Sequence, residues 1–376
     1  MLFVLWALQA GVPPSYPPIP RLHLTAPAEW VDAGHVAPFA PAIVLAARRE
    51  LVTVPPPEPP AARPSDVRLW RPDGVEFAVV GMTRALATRS TVSRRPREVV
   101  PPIARVWPDL PPPRADALLP SHRIIAFYGN PKSTRMGILG ELPPAQMLDR
   151  LQQVADEWTA ADPSTPALPA LHLIATVAHG RPGEDGLYRI RHGADVIEQV
   201  LGWAQSRGWL VFLDIQPGQS TVQAEVQRLL PYLARPNVHL ALDPEFAMKD
   251  GRLPGKYIGT MDAAEVNYAV EVLERMVDSL HLPPKVIVVH RFTHDMLTNA
   301  RSIRVDPRGR VQVVIDMDGF GSPSGKLGIW RQVILRWPVQ YTGLKIFTKR
   351  RNDDPMMAPA DVLDRFWPAP LYIQYQ

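Results

Sequence analysis

Three short segments of the sequence carry polar side chains two positions apart. They are LDIQ with Asp214 and Gln216, LDPE with Asp243 and Glu245, and IDMD with Asp316 and Asp318. Residues two apart on an extended strand share one face, so each pair would point to the same side of a sheet. Neighbouring carboxylates can divide the work of general acid and general base, because burial and like charge separate their pKa values. Carboxylate acid–base catalysis is therefore the first chemistry that the sequence suggests.

Glu245 is the expected general acid. Asp243 lies on the same face and can hydrogen-bond to the glutamate or repel it, and so hold it protonated near neutral pH. Glycoside hydrolysis needs a second carboxylate across the cleft, roughly 5 to 10 Å away. Asp318 and Asp214 are the first candidates for it, ahead of the deeper Asp316. For each of these aspartates, an ion pair with a basic neighbour is the alternative role.

Further polar side chains fall on the same parity of strand-like segments and are predicted to bind substrate. They are Tyr128, Asn130, His172, Gln216, His290 and Lys345. His172 begins deep in its segment, where a hydrogen-bonded core histidine is the alternative, and Thr176 is expected to share its inward face. His290 lies at a strand end. Loops beyond the strand ends carry aromatic rings such as Phe246 and Phe320. Such rings suit the apolar faces of sugars, with ordinary packing as the alternative.

From Arg123 onward, short apolar runs alternate with helical patterns, which is typical of repeated βα units. The predicted strands are Ile124–Tyr128, Leu171–Val177, Leu210–Gln216, Val238–Asp243, Val286–His290, Val311–Asp316, Gly343–Phe347 and Leu371–Gln374. The predicted helices are Pro144–Thr159, Ala194–Arg207, Val222–Ala234, Ala263–Leu280, Asp295–Ser302, Lys326–Trp337 and Ala360–Phe366. Eight βα strands in about 250 residues predict an α/β fold, a (β/α)8 TIM-type barrel over residues 123–376.

An open, doubly wound sheet is the alternative fold. The first strand is followed by YGNPKS rather than by a glycine-rich phosphate loop, which disfavours a nucleotide-binding sheet. In a barrel, the carboxyl ends of the strands build the active site. The acidic cluster is therefore expected to be catalytic or ligand-binding, with a structural polar network as the alternative.

Residues 1–122 are predicted to form a Pro-rich N-terminal segment, because they hold 23 of the 44 prolines. Short apolar stretches at 42–47 and 67–82 are consistent with a few strands of a small accessory part, and a linker is the alternative. No helix is predicted after the last strand, so this segment could cover the gap. The apolar run at 2–10 resembles the core of a secretion signal, which would make the protein secreted or cell-surface rather than cytoplasmic, and a buried N-terminal segment is the equal alternative.

Composition excludes several classes of function. The formal net charge of +4 is small for 376 residues, so nucleic acid is not an expected partner. The absence of cysteine excludes disulfides, thiolate metal sites and a cysteine nucleophile. No apolar run approaches the length of a membrane span, so no integral membrane segment is expected.

Several segments after Arg123 carry a family resemblance. They are YGNP, MGILGE, LDIQPG, LALDPEFAM, VVHRF, IDMDGFG and LKIF. These motifs resemble a poorly characterised bacterial family, often exported, whose barrels are similar to glycoside hydrolases. The resemblance implies a (β/α)8 barrel and brings no established activity. The Asp-x-Glu of LDPE is also similar to the end of the DxDxE motif of chitinase-type barrels, but Ala241 stands where that motif has its first aspartate.

The sequence predicts a glycoside hydrolase-like enzyme that cleaves a polysaccharide or a cell-surface glycan, without cofactor or metal. A metal-dependent hydrolase is one alternative, because the same carboxylates and histidines can bind Mg²⁺, Mn²⁺ or Zn²⁺. No HxH or HExxH spacing supports that alternative, and Lys345 would oppose a dense cation site. A non-catalytic surface or binding protein on a barrel scaffold is the other alternative. The sugar, the linkage and the oligomeric state are left open.

Overall fold

The computed structural model describes residues 103, 106–349 and 352–376. The strands of this part are β1 (Arg123–Gly129), β2 (Ala167–Ala178), β3 (Arg189–Arg191), β4 (Leu210–Ile215), β5 (Val238–Leu242), β6 (Met261–Asp262), β7 (Lys285–Arg291), β8 (Leu297–Thr298), β9 (Val311–Met317), β10 (Tyr341–Ile346) and β11 (Tyr372–Tyr375). Its helices are α1 (Pro144–Ala161), α2 (Ala194–Gln205), α3 (Val222–Leu233), α4 (Ala263–Leu280), α5 (Pro323–Val333) and α6 (Pro359–Arg365). The predicted signal at 2–10, the accessory strands at 42–47 and 67–82, and most of the Pro-rich segment lie outside the described residues.

Eight parallel strands close into a barrel with helices between them, which confirms the (β/α)8 prediction. The order around the barrel is β1, β11, β10, β9, β7, β5, β4 and β2, and β2 pairs again with β1. Ile124 of β1 is in register with Tyr372 of β11 on one side and with Leu168 of β2 on the other. None of the helices in the described part is both long and apolar enough to cross a membrane.

The interior of the barrel is apolar at one end and polar at the other. Inward side chains near the amino ends of the strands form an apolar cluster of Leu119, Ile124, Ala126, Ala170, Phe212, Ala241, Val286, Val288, Val314, Tyr341 and Tyr372. Inward side chains near the carboxyl ends are polar and buried, among them Tyr128, His172, Asp214, Gln216, Asp243, His290, Asp316, Asp318, Lys345 and Gln374. The outward parity packs beneath the helices in a separate and larger apolar core. Strand alternation thus sends the acidic residues to one mouth of the barrel.

The second strand departs from simple alternation. The pairing of β2 with β4 shifts between Ile174 and Thr176, as a β-bulge does. Thr176 was expected to share the inward face of His172, but its hydroxyl lies 3.3 Å from the Glu225 carboxylate on α3. That expectation is wrong, because the bulge turns Thr176 toward the helices.

The predicted helix Asp295–Ser302 is also wrong. This segment forms the two-residue strand β8, which pairs with β6, and then a 3₁₀ turn from Ala300 to Ser302. The side chains of Thr298 and Asn299 both donate hydrogen bonds to Asp262 Oδ2, at 2.7 and 2.6 Å. A segment of eight residues gains little from helix formation, and these bonds tie it to the residue that caps α4 instead.

Residues 106–122 close the amino-terminal end of the barrel. Leu119 lies in the inner apolar cluster, and its backbone N–H and carbonyl both bond to the side chain of Gln312, at 3.1 and 2.6 Å. Trp107 donates its indole N–H to the Gln340 carbonyl at 2.8 Å and meets Trp367 edge to face. This part of the segment therefore seals the floor of the barrel, opposite the polar mouth.

Candidate active site

A pocket of about 60 Å³ lies at the carboxyl ends of the strands. Its polar lining consists of Tyr128 on β1, Arg135, Gln216 after β4, Asp243 and Glu245 after β5, Asp318 after β9, Lys345 on β10 and Gln376. A wider cleft of about 320 Å³ shares Glu245, Asp318, Lys345 and Gln376 with this pocket. The acidic groups on different strands are thus brought to one opening.

Hydrogen bonds from Gln216 fix the floor of the pocket. Its side-chain Nε2 donates to the Tyr128 hydroxyl at 3.1 Å and to Asp243 Oδ2 at 3.2 Å. The other oxygen of Asp243 accepts from the backbone N–H of Glu245 at 3.1 Å, so Asp243 caps the 3₁₀ turn Pro244–Phe246. Asp243 therefore sets the position of Glu245 through the backbone.

The carboxyl group of Glu245 is the most accessible member of the acidic set. Burial and the charge of Asp318 together raise the pKa of Glu245 to about 7, against the lowering effect of Lys345. Asp243 was expected to hold this glutamate protonated. The electrostatic contribution comes from Asp318 across the pocket instead, and Asp243 acts through the turn geometry.

Asp318 lies beside the side chain of Lys345. Lys345 Nζ lies 4.0 Å from Asp318 Oδ2 and 4.2 Å from the centroid of the Tyr128 ring. Burial keeps the pKa of Asp318 above its usual value, although the neighbouring Lys345 and His290 lower it in part. Lys345 thus favours the carboxylate form of Asp318.

A second polar layer lies beneath the pocket, where His172, Asp214, His290 and Asp316 are all fully buried. The Nε2 atoms of His172 and His290 lie 3.8 and 3.9 Å from the same atom, Asp214 Oδ2. His290 Nδ1 lies 3.2 Å from Asp316 Oδ2 and 3.5 Å from Asp318 Oδ2, which links the layer to the pocket. His172, Asp214 and His290 are the described residues best arranged to hold a metal ion, with one ligand atom of each within 4.8 Å of the others.

Burial controls the ionisation of this deep layer. It raises the pKa of Asp214, and it raises that of Asp316 to about 7. It also lowers the pKa of His290 to about 4 and that of His172 well below its usual value. Gly343 on β10 makes room for Asp316, because a Cβ on that glycine would lie 2.6 Å from Asp316 Oδ1.

Aromatic rings form one wall of the wider cleft. The cleft is lined by Tyr257, Phe292, Phe320 and Phe347, with Ile258 and Lys256 beside them. Tyr257 is 51% and Phe320 43% exposed, and Arg252 lies over the Tyr257 ring at 5.0 Å. These partly exposed rings give the wider cleft an apolar lining.

The structure separates the predicted residues into three groups. The pocket collects Tyr128, Gln216, Asp243, Glu245, Phe246, Asp318 and Lys345, with Phe320 in the wider cleft. Asp214, Asp316, His172 and His290 lie in the layer beneath. Asn130 lines neither cavity. Its Oδ1 accepts from the Lys132 backbone N–H at 2.9 Å, so it shapes the loop after β1.

Sequence reasoning missed Arg135 and Met136 in the pocket and Tyr372 of the apolar cluster, whose hydroxyl reaches His172 in the layer beneath the pocket. Arg135 and Met136 belong to the loop after β1, which has no strand periodicity. Gly129, with φ +149°, lets Met136 approach, because a Cβ there would lie 2.3 Å from the Met136 carbonyl oxygen. Tyr372 has the same parity as Gln374, so its inward direction could have been found from the eighth strand.

No protein-family model matches the chain, and no curated protein matches it significantly. A barrel fold supports many unrelated chemistries, so function has to be argued from the site itself.

Proposed function

We propose that the chain is a glycoside hydrolase-like enzyme that cleaves a polysaccharide or a cell-surface glycan, with Glu245 as general acid and Asp318 as base or nucleophile. The observation that carries the proposal is that Glu245 and Asp318 line one pocket at the mouth of the barrel and also line the adjoining aromatic cleft. Two carboxyl groups beside a cleft that can bind a sugar ring are the requirement of this chemistry.

The two carboxyl groups have different surroundings, which suits an acid and a base. With a pKa of about 7, Glu245 is largely protonated below neutral pH and can donate its proton to the glycosidic oxygen as the C–O bond breaks. Asp318 lies beside the Lys345 ammonium, which stabilises its carboxylate form. That carboxylate would then either attack the anomeric carbon or take a proton from the attacking water.

The remaining residues would position these groups and the sugar. Asp243 holds the turn that carries Glu245, and Gln216 holds Asp243 and Tyr128 together. The exposed rings of Tyr257 and Phe320 offer apolar faces for a sugar ring, as aromatic residues do in carbohydrate sites. The cleft would therefore bind the chain of sugars, and the narrow pocket would hold the reacting bond.

The test compares the wild type with Glu245→Gln and Asp318→Asn on a panel of polysaccharides and cell-surface glycans, with released reducing ends as the measurement. Each variant should lose at least about 100-fold in kcat, the usual loss when an acid–base group is removed. Glu198→Gln is the matched control, because Glu198 pairs with Arg235 at the partly exposed surface. It should keep full activity.

Two outcomes would count against the proposal. Unchanged turnover in Glu245→Gln would remove its general acid. Retention of a glycan by both the wild type and Glu245→Gln, with no product from either, would favour the binding-protein alternative.

A further inference from the structure

We infer that the barrel interior holds one divalent transition-metal ion, bound by His172 Nε2, Asp214 and His290 Nε2 beneath the pocket. This inference goes beyond the carboxylate mechanism and does not depend on it.

The distances between the three side chains suit a single ion. Both imidazole Nε2 atoms approach the same carboxylate oxygen, at 3.8 and 3.9 Å, and one ligand atom of each residue lies within 4.8 Å of the others. Metal–ligand bonds of about 2.0 to 2.2 Å place neighbouring ligand atoms about 3 to 4 Å apart. An ion between the three groups therefore needs only small side-chain shifts.

The second nitrogen of each histidine has a neighbour that suits a metal-bound imidazole. His172 Nδ1 lies 2.5 Å from the Tyr372 hydroxyl and 3.1 Å from Gln374 Nε2, and His290 Nδ1 lies 3.2 Å from Asp316 Oδ2. When a histidine binds a metal, its other ring nitrogen usually donates to a carboxylate or another oxygen, which fixes the tautomer. Each Nδ1 atom thus has an oxygen within 3.2 Å, and the two Nε2 atoms lie 3.8 and 3.9 Å from Asp214 Oδ2.

The atoms that face the proposed ion have no well-formed hydrogen bond within the described part of the chain. His172 Nε2, His290 Nε2 and both oxygens of Asp214 make no hydrogen bond of normal geometry with the residues that the structure describes. All three side chains are fully buried. Polar groups buried without partners are costly and rare, so this concentration of them calls for a bound group. A cation would satisfy all four atoms together.

Formal charge also leaves room for a divalent ion. When ionised, Asp214 and Asp316 place two negative charges in the deep layer, whereas the charge of Asp318 is paired with Lys345. Lys345 is 4.0 Å from Asp318 and belongs to the pocket above. An ion of charge +2 in the layer beneath would balance the two charges that remain.

The ligand set selects the class of metal. Two imidazole nitrogens and one carboxylate suit Zn²⁺, Fe²⁺, Co²⁺ or Ni²⁺, whereas Mg²⁺ and Ca²⁺ prefer oxygen ligands alone. The chain has no cysteine, so no thiolate competes for the ion. Zn²⁺ and Co²⁺ are the appropriate probes.

The experiment uses the full chain, stripped with a chelator and titrated with Zn²⁺ by calorimetry, and separately with Co²⁺ by visible absorption. The wild type should bind one equivalent of either ion, and the Co²⁺ spectrum should show ligand-field bands of a nitrogen and oxygen site. His172→Gln, His290→Gln and Asp214→Asn should each weaken Zn²⁺ binding at least about 100-fold. Asp316→Asn should weaken it about 10- to 100-fold, as loss of a partner behind a metal ligand does.

His239→Gln is the matched control. His239 is also a buried histidine of an inner strand, but its Nδ1 accepts from the Val286 backbone N–H and it lies outside the proposed ligand set. This variant should bind Zn²⁺ as the wild type does. Circular dichroism checks that each variant is folded.

Three results would overturn the inference. The first is a wild type that binds no stoichiometric Zn²⁺ or Co²⁺, which would mean that protons or water occupy the layer. The second is unchanged Zn²⁺ binding in folded His172→Gln or His290→Gln, which would place the ion elsewhere in the chain. The third, decisive even when these variants do not fold, is a wild-type Co²⁺ spectrum without imidazole ligation. Glu245→Gln should lose turnover and keep Zn²⁺ binding, so the metal site and the proposed hydrolysis can fail separately.

Discussion

The two ends of the barrel differ in how many hydrogen bonds their buried polar groups make. At the closed end, Lys285 begins β7 without solvent exposure, and its ammonium group donates to the carbonyls of Arg235, Pro236 and Val238. Toward the open end, Asp214 and Asp316 are equally buried, yet their carboxylate oxygens make no hydrogen bond of normal geometry with the described residues. Burial alone therefore does not distinguish a structural polar group from a functional one. The number of satisfied hydrogen bonds does.

Two glutamates show the same contrast. Burial raises the pKa of Glu225, but hydrogen bonds from Arg191, Ser220 and Arg189 outweigh it and leave the pKa below its usual value. Among the described residues Glu245 has no such set of donors, and burial together with the charge of Asp318 raises its pKa to about 7. Glu225 is thus arranged for stability, whereas the surroundings of Glu245 suit the proton transfer that we propose for it.

The prediction with the largest expected effect compares the stability of variants of these two glutamates. Glu225→Gln should destabilise the fold by about 3 to 5 kcal/mol, because it leaves Arg189 and Arg191 beside a neutral amide in a buried site. Glu245→Gln should change the free energy of unfolding by less than about 1 kcal/mol, since its carboxyl group lines the pocket. Urea denaturation measures both. Equal losses of stability in the two variants would contradict the division of roles, and Glu198→Gln is the surface control.

The second prediction concerns the closed end and the pH dependence of stability. The pKa of Lys285 is lowered by burial from 10.5 to about 7, so between these values the unfolded chain binds a proton that the folded chain does not. The free-energy cost of burying the charged Lys285 side chain is fully present below pH 7 and decreases as the pH rises. The free energy of unfolding of the wild type, relative to Lys285→Met, should increase by up to about 1.4 kcal/mol per pH unit above pH 7. Urea denaturation of both proteins at pH 7 and pH 9 measures this change. If the free energies of unfolding of the two proteins differed by the same amount at both pH values, the prediction would be wrong.

The third prediction concerns the open end and the pH dependence of activity. The general acid must be protonated, so kcat/KM for the glycan cleaved by the wild type should fall above pH 7 and approach a tenfold loss per pH unit. A profile that stays flat up to pH 9 would show that Glu245 does not donate the proton. The residual activity of Glu245→Gln should lack this descending limb, which assigns the limb to that residue.

The barrel and its polar mouth could be predicted from the sequence because both rest on local patterns. Alternating side chains on apolar strands, with acids at the strand ends, place Asp243, Glu245 and Asp318 at one opening whatever the details of packing. The depth of each residue could not be predicted, since it depends on the stagger of neighbouring strands. Asp214 is still within β4, whereas Asp243 and Asp318 lie just beyond the ends of β5 and β9.

The other features that the sequence did not predict also have physical causes. Thr176 turns outward because of a bulge that only the pairing with β4 reveals. The ion pairs of Glu225 could not be predicted from the sequence, because Glu225 lies in the first turn of a helix. Its arginine partners come from the short strand β3, which alternation did not predict. Contacts between distant segments decided both outcomes, and a single sequence does not display them.

The last prediction uses glycines to compare the packed interior with the surface. A Cβ at Gly343 would lie 2.6 Å from Asp316 Oδ1 and 3.1 Å from the Asp316 Cα, so Gly343→Ala must displace a strand residue of the deep layer. We expect a loss of about 1 to 3 kcal/mol in the free energy of unfolding, as for other overpacked interiors. Gly328 in α5 has no atom within 4 Å of an added Cβ, so Gly328→Ala should stabilise the protein by about 0.5 to 1 kcal/mol. If Gly343→Ala were as stable as the wild type, Asp316 could move freely. The deep layer would then lack the rigidity that a preformed metal site requires.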